Sequence, residues 1–145
     1  MGQSKSAPIK ILVVGPVGAG KTCLVQSLLL GVDSVNYLKP TESYEVAYIR
    51  SRKTGVWYEV YDICGKPAGR PHRRAFYDEA QGVILVVNCS DKANTADIEE
   101  AKQDLDELVG AYDLDRIPFL VVANRGRCHT DLIPNMCWTS PSCFL

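Results

Sequence analysis

The chain has 145 residues, of which 46% are hydrophobic, and a formal net charge of −1. These values suit one globular domain and exclude two separate cores. The 16 basic residues are scattered along the sequence, which argues against the concentrated positive charge of a nucleic-acid-binding protein, so we expect no nucleic acid among its partners.

The first predicted strand, Ile9 to Val14, leads directly into a glycine-rich loop. Residues 15–22 fit the phosphate-binding pattern G-x-x-x-x-G-K-[ST], with a strand before the loop and helix-forming residues after it. In such a loop the backbone N–H groups surround an anion, the lysine reaches the outer phosphates, and the final hydroxyl binds Mg²⁺. The predicted nucleotide-binding residues here are Gly15, Pro16, Val17, Gly18, Ala19, Gly20, Lys21, Thr22 and Cys23, with Lys21 also catalytic and Thr22 also a metal ligand.

Two alternating runs follow the helix that we predict from Lys21 to Leu30 and that ends at Gly31. Residues 44–49 and 56–61 are separated by turn residues, which predicts an antiparallel hairpin. The sequence Asp-Ile-Cys-Gly at 62–65 then closes the second strand and opens a loop rich in Gly, Pro and Arg that extends to Arg74. We interpret its basic cluster, residues 70–74, as a solvated loop face rather than a patch for phosphate or an acidic partner.

The second half alternates buried strands with a helix. Residues 83–87 and 117–122 are continuous apolar runs, and residues 94–109 carry apolar side chains at helical spacing with acids on the other face. This order predicts an α/β fold of three layers, a P-loop NTPase fold whose mostly parallel sheet has one antiparallel hairpin strand.

Residues 124–145 show no regular period, so we divide the chain into an extension at 1–8, a domain at 9–123 and an irregular tail at 124–145. We expect the last strand and helix of the fold to be missing and apolar surface to remain uncovered. The six cysteines form no Cys-x-x-Cys pair, which favours reduced thiols in a cytoplasmic protein over a zinc site or a disulfide framework.

Three residues beyond the phosphate loop complete a predicted switch. Asp62 follows a strand that ends close to the loop, where a carboxylate suits Mg²⁺. Thr41 lies in a polar loop and is a second candidate metal ligand, and Gly65 has no side chain to keep its N–H from a third phosphate. Contacts that form in one nucleotide state and break in the other would order two loops alternately.

Together these motifs resemble the small GTPase superfamily over residues 9 to about 124. Lys39-Pro40-Thr41, the stretch 62–65, Arg70-Pro71, residues 74–77 and residues 81–84 are similar to its ADP-ribosylation-factor-like branch, as is Gly2, because that branch often carries a myristoylated Gly. A second resemblance, through residues 14–16, 36–37 and 86–88, is to the divergent Rab-like subunit of intraflagellar transport particles.

The resemblance implies GTP or GDP with Mg²⁺ as ligands, and it also shows where this chain departs from the pattern. Lys66 stands where the superfamily has the glutamine that orients the attacking water, and lysine has no acceptor. Val17 stands where many members have glycine and could crowd an incoming arginine. We therefore predict slow hydrolysis, with Lys66 as the altered catalytic position.

The base-reading motif is also altered. The asparagine of the motif is present as Asn124, and Arg125 replaces the lysine that follows it. Arg127 stands at the position of the aspartate that selects guanine, although Asp131 could be recruited to that role. A P-loop kinase is a weaker reading, and a nucleotide-independent scaffold, or a truncated isoform acting as an interaction protein, is the main alternative to the switch.

The resemblance further implies effector and regulator proteins that bind from Asp33 to Ser43 and from Lys66 to Tyr77, in membrane or intracellular trafficking and signalling. The N-terminus fits the myristoylation pattern at Gly2, and whether it is modified stays open. One acyl chain would give only weak, reversible peripheral membrane attachment to an otherwise cytoplasmic protein.

Overall fold

The structure is a computed structural model that describes residues 6–31, 41–112 and 116–125. In these ranges the chain forms five strands and three α-helices. The strands are β1 Ile9–Val14, β2 Tyr44–Arg50, β3 Trp57–Ile63, β4 Gly82–Asn88 and β5 Phe119–Asn124, and the helices are α1 Lys21–Leu30, α2 Arg70–Arg73 and α3 Thr95–Ala111.

The five strands form one sheet in the order β2-β3-β1-β4-β5. Strand β1 pairs in parallel with β3 and β4, β5 pairs in parallel with β4, and only β2 runs antiparallel to its neighbour. The predicted α/β fold with a mostly parallel sheet and one antiparallel hairpin strand is confirmed. The prediction that the last strand and helix are missing concerns residues outside the described ranges.

Each face of the sheet packs against a different helix. Leu12 and Val14 of β1 belong to the core cluster that includes Leu108 of α3, whereas Val13 belongs to the cluster that includes Leu24 and Val25 of α1. Successive side chains of a strand point to opposite faces, so β1 supplies both cores. The end of α1 contributes less, because Leu28, Leu29 and Leu30 are 52%, 41% and 58% exposed.

The ends of the two long helices follow from local chemistry. Helix α1 has the predicted bounds, and the N–H of Gly31 donates to the carbonyl of Ser27 at its end. Helix α3 begins after Asn94, whose side chain accepts from the Asp97 N–H while the Asp97 carboxylate accepts from the Asn94 N–H. This capping box supplies partners for two N–H groups that the first turn leaves open.

Three predictions about α3 and the segment packed against it were wrong in whole or in part. Residues 67–79 form a 3-10 turn, α2 and a second 3-10 turn, although we predicted a loop as far as residue 74, and we call them the helical segment. Its basic cluster is only partly a solvated face, since the Arg74 side chain is 73% exposed, whereas Arg73 is 1% exposed and pairs with Asp104 of α3. Asp104 itself is buried, although we predicted the acids of α3 on the outer face, and Ile98 is 49% exposed. Helical spacing alone could not reveal that a charged partner would cover one acid.

None of the described helices is long and apolar enough to span a membrane. Cys23, Cys64 and Cys89, the cysteines in the described part of the chain, are not joined by disulfide bonds.

Candidate functional site

The phosphate loop connects β1 to α1 and takes its shape from glycines in the left-handed region. Gly15, Gly18 and Gly20 have φ angles of 146°, 76° and 96°. A Cβ on Gly15 would lie 2.2 Å from the carbonyl oxygen of Val86 in β4, so no other residue fits there without moving a strand. The glycines predicted to fold the backbone around an anion therefore adopt backbone conformations that other residues rarely reach.

Lys21 turns back across this loop. Its side chain is buried, and Nζ donates to the carbonyl oxygens of Gly15 at 3.0 Å and Pro16 at 2.8 Å. Burial lowers the pKa of Lys21, an effect that the nearby Asp62 carboxylate opposes. The loop thus holds an ammonium group at its centre whose charge is stabilised by backbone dipoles and one carboxylate, an arrangement that favours an incoming anion.

Sheet register brings Asp62 to the phosphate loop. Strands β1 and β3 are parallel with Val13 beside Asp62, so the carboxylate lies at the end of the sheet from which the loop emerges. The Thr22 hydroxyl donates to Oδ2 of Asp62, and the Thr41 hydroxyl lies 3.4 Å from the same oxygen. The two hydroxyl oxygens are 3.0 Å apart. All three predicted metal ligands therefore meet at one point.

The chemistry of this group of oxygens fits Mg²⁺. In the described part of the chain, Oδ1 of Asp62 is buried and has no hydrogen-bond partner, and burial raises the pKa of this carboxyl. A divalent cation would reverse that effect by favouring the ionised form. The described residues contain no group of three or more His, Cys, Asp or Glu that could hold a metal by themselves. One carboxylate with hydroxyls suits Mg²⁺ held jointly with nucleotide phosphates and water.

Gly65 lies directly against the phosphate loop. A Cβ at this position would be 2.5 Å from the carbonyl carbon of Pro16 and 2.6 Å from the nitrogen of Val17. Lys66 follows with an exposed side chain, and its N–H donates to the Cys64 sulfur at 3.5 Å. The backbone of this turn thus touches the loop, while the lysine side chain extends into solvent.

Asn124 joins the end of β5 to the same loop. Its side-chain amide donates to the carbonyl of Ala19 at 2.9 Å, and its backbone carbonyl accepts from the N–H of Cys89 at 2.7 Å. Arg125 is exposed at the end of the described range. Gly2, residues 33–40, Arg127 and Asp131 lie outside the described residues, so the lipidation site, most of the first effector segment and the replaced base-reading position stay predictions.

Sequence reasoning missed an aromatic cluster beside the helical segment. The ring centroids of Tyr44 and Phe76 are 4.9 Å apart, and Tyr61 lies 5.3 Å from Phe76 and 6.3 Å from Tyr44. Tyr44 is 48% exposed, so the cluster reaches the surface. The hairpin pattern placed Tyr44 and Tyr61 on adjacent strands, but nothing local placed Phe76 against them.

A family comparison covers most of the chain. Residues 1–136 match the model of the ADP-ribosylation factor family. The match includes the phosphate loop, Asp62, Gly65 and Asn124, and therefore every described part of the site.

Proposed function

The chain belongs to the ADP-ribosylation factor family, a family of small GTPases, and we propose that it is a switch that binds guanine nucleotide with Mg²⁺ and hydrolyses GTP slowly. The observation that carries the proposal is the contact between Lys21, Thr22 and Asp62 at the phosphate loop. A buried ammonium group lies there beside a carboxylate oxygen that has no hydrogen-bond partner among the described residues.

Each of these groups has a distinct role in the proposal. Lys21 and the loop N–H groups bind phosphate oxygens, and Lys21 exchanges its carbonyl partners for them. Thr22, Asp62 and Thr41 hold the ion, which supplies positive charge at the phosphates. Gly65 lets its backbone approach the loop closely, because any side chain there would collide with Pro16.

The slow hydrolysis follows from Lys66. Its side chain can donate hydrogen bonds but accept none. It therefore cannot accept a hydrogen bond from an attacking water, as the side-chain carbonyl of a glutamine does. Val17 adds to this effect, because it is 44% exposed and occupies the surface of the loop where an arginine from a regulator would enter.

Asn124 supports a base site at the end of β5, since its amide fixes that strand end to the carbonyl of Ala19. In this proposal Asn124 and Arg125 are the residues that bind the nucleotide base. How guanine is selected without an aspartate at position 127 is part of what the nucleotide experiment below measures.

Effectors and regulators would bind across the residues from Asp33 to Ser43 and from Lys66 to Tyr77. The aromatic cluster of Tyr44, Tyr61 and Phe76 includes one residue of the second segment and reaches the surface at Tyr44, which is 48% exposed. Aromatic side chains of this kind are enriched in protein interfaces. A myristoyl group on Gly2 would add weak peripheral membrane attachment, in keeping with a role in trafficking or signalling.

Chromatography of the nucleotide released from the purified chain tests the proposal. We expect GDP or GTP, and we expect Lys21→Ala and chelation of Mg²⁺ each to reduce its amount. Lys10→Ala is the matched control, because Lys10 pairs with Glu79 away from the loop. Absence of nucleotide, with no binding of added GDP, would support the scaffold instead, and ATP or ADP would support a kinase.

A further inference from the structure

A second buried carboxylate, Asp104, holds two arginines of the helical segment. Its Oδ1 accepts from Arg70 Nε and from Arg73 Nη1, each at 3.0 Å. The Asp104 and Arg73 side chains are 0% and 1% exposed, and that of Arg70 is 18% exposed. One oxygen on α3 is thus the common anchor of two side chains one helical turn apart.

Further contacts fasten the same segment along α3. Arg70 also donates to the Gln103 side chain at 2.8 Å. The Tyr77 hydroxyl donates to Glu107 at 2.8 Å, and the Tyr112 hydroxyl donates to the Tyr77 carbonyl at 3.0 Å. The segment is therefore attached at both ends, with the buried pair between Arg73 and Asp104 as its most enclosed contact.

The anchored segment begins immediately beyond the candidate site. Gly65 touches the phosphate loop, and only residues 66–69 separate it from Arg70. These four residues include a 3-10 turn closed by the Gly69 N–H and the Lys66 carbonyl at 2.9 Å. The connection between Gly65 at the phosphate loop and Arg70 at Asp104 is therefore short. A displacement of Gly65 must either unwind this turn or displace the arginines.

We propose that Asp104 is a positioning residue of the switch, which holds the helical segment against α3 through Arg70 and Arg73 and thereby keeps Gly65 closed on the phosphate loop. The coupling to nucleotide rests on the proposed function. The attachment of the segment to α3 does not, because it is visible in the contacts of the chain alone.

Several polar atoms of the Asp104 and Arg73 side chains lack hydrogen-bond partners among the described residues, which favours a role for this pair in positioning the helical segment rather than in stabilising the fold. In the described part of the chain, Oδ2 of Asp104 and both Nε and Nη2 of Arg73 are buried without hydrogen-bond partners. Apolar side chains of similar volume often stabilise a core at least as well as a buried ion pair. A shared carboxylate oxygen instead specifies the position of each guanidinium group in distance and direction.

Hydrogen exchange measured by mass spectrometry on the full nucleotide-free chain tests the attachment. In Asp104→Asn we expect exchange of residues 67–79 to accelerate at least about tenfold, because the acceptor shared by the two arginines loses its negative charge, with little change in β1 and β4. The control is Asp106→Asn, an exposed carboxylate on the same helix. Equal acceleration throughout the chain, or none at 67–79, would overturn the proposal.

Arg70→Ala provides a second variant that keeps the buried pair between Arg73 and Asp104 intact, and it remains informative if Asp104→Asn does not fold. We expect it to accelerate exchange in the first part of the helical segment by about threefold. Wild-type exchange rates at 67–79 in this variant would contradict the anchor.

The rate of release of fluorescent GDP separates positioning from mere stability. We expect release to become about threefold to tenfold faster in Asp104→Asn and Arg70→Ala than in Asp106→Asn, because a looser Gly65 supports the loop less well. A lowered melting temperature with unchanged release would overturn the coupling. If the wild type binds no guanine nucleotide, the proposed function fails, while the exchange result still decides whether Asp104 anchors the segment.

Discussion

Asp62 and Asp104 are equally buried, each 1% exposed, yet their surroundings differ in kind. In the described part of the chain, each carboxylate keeps one buried oxygen without a hydrogen-bond partner. Asp62 receives hydrogen bonds from hydroxyl groups. Asp104 instead faces two guanidinium groups of its own chain. The first carboxylate is bonded to neutral hydroxyl groups, with the Lys21 ammonium nearby, at a binding loop, and the second is bonded to two guanidinium groups in a core.

The difference shows how a fold separates a ligand site from a structural contact. The hydroxyl of Thr22 and the nearby Lys21 charge compensate the buried Asp62 carboxylate only in part, since burial still raises its pKa. A cation supplied from solution can complete that site. Arginines compensate Asp104 within the chain, so that carboxylate has no comparable need for an external ion.

The largest expected effect comes from breaking the internal pair. Asp104→Ala leaves the buried charge of Arg73 without its acceptor, and we expect it to lower the free energy of unfolding by about 3–5 kcal/mol. Denaturant unfolding measures this change, with Asp106→Ala as the exposed control. A loss under about 1 kcal/mol would show that the two buried acids are more alike than their contacts indicate.

The second prediction tests whether the residue at position 66, close to Asp62, limits the rate of GTP hydrolysis. Lys66→Gln restores a carbonyl acceptor beside Gly65, and we expect single-turnover GTP hydrolysis to accelerate about tenfold, a difference of about 1.4 kcal/mol in the barrier. Lys66→Met, which has no carbonyl acceptor, should remain slow. A wild-type rate equal to that of the glutamine variant would contradict the assignment of slow hydrolysis to this position.

Removing the charge of Asp62 should raise the free energy of unfolding, whereas removing that of Asp104 should lower it. Without metal or nucleotide, Asp62→Asn should raise the free energy of unfolding by about 1 kcal/mol, since the ionised carboxyl is poorly solvated in the fold. The same variant should lose the extra stabilisation that Mg²⁺ gives with GDP. Denaturation with and without MgCl₂ measures both effects, and unchanged metal dependence would rule out Asp62 as a metal ligand.

The smallest effect is a dependence on pH. Because burial raises the folded-state pKa of Asp62 above its ordinary value of 3.8, the folded chain binds the proton more tightly than the unfolded chain. The ionised Asp62 carboxylate therefore destabilises the fold by its full amount above the folded-state pKa. This destabilisation disappears as the pH falls toward 3.8. In EDTA, we expect the stability of the wild type to approach that of Asp62→Asn by less than about 1 kcal/mol over this interval. A constant difference between the two proteins would contradict this prediction.

Local pattern predicted the strands and long helices because their signals are local. Helix α1 begins at Lys21 and ends at Leu30 as the spacing and Gly31 indicated, and β2 and β3 pair as the two alternating runs required. The first part of the helical segment, as far as Arg74, was predicted as a loop because its Pro, Gly and Arg content favours irregular structure. Its helical turns are held by contacts with α3, which composition cannot show.

The site was partly predictable for a related reason. Lys21 and Thr22 belong to one short motif, so their sequence spacing already implied a phosphate-binding loop. The contact between Thr22 and Asp62 joins residues 40 positions apart and depends on the parallel register of β1 with β3. A carboxylate at a strand end fitted that position, but several polar residues of the chain could have taken it.

By itself, the sequence determined the phosphate loop at residues 15–22, the alternation of strands and helices, and the presence of lysine at position 66, because each depends on neighbouring residues alone. Only the tertiary structure decided which of two buried aspartates faces a binding loop and which is bound by arginines. That outcome depends on the charges brought close by the sheet and by α3, and the electrostatic effect of those charges falls steeply with distance in space rather than along the chain.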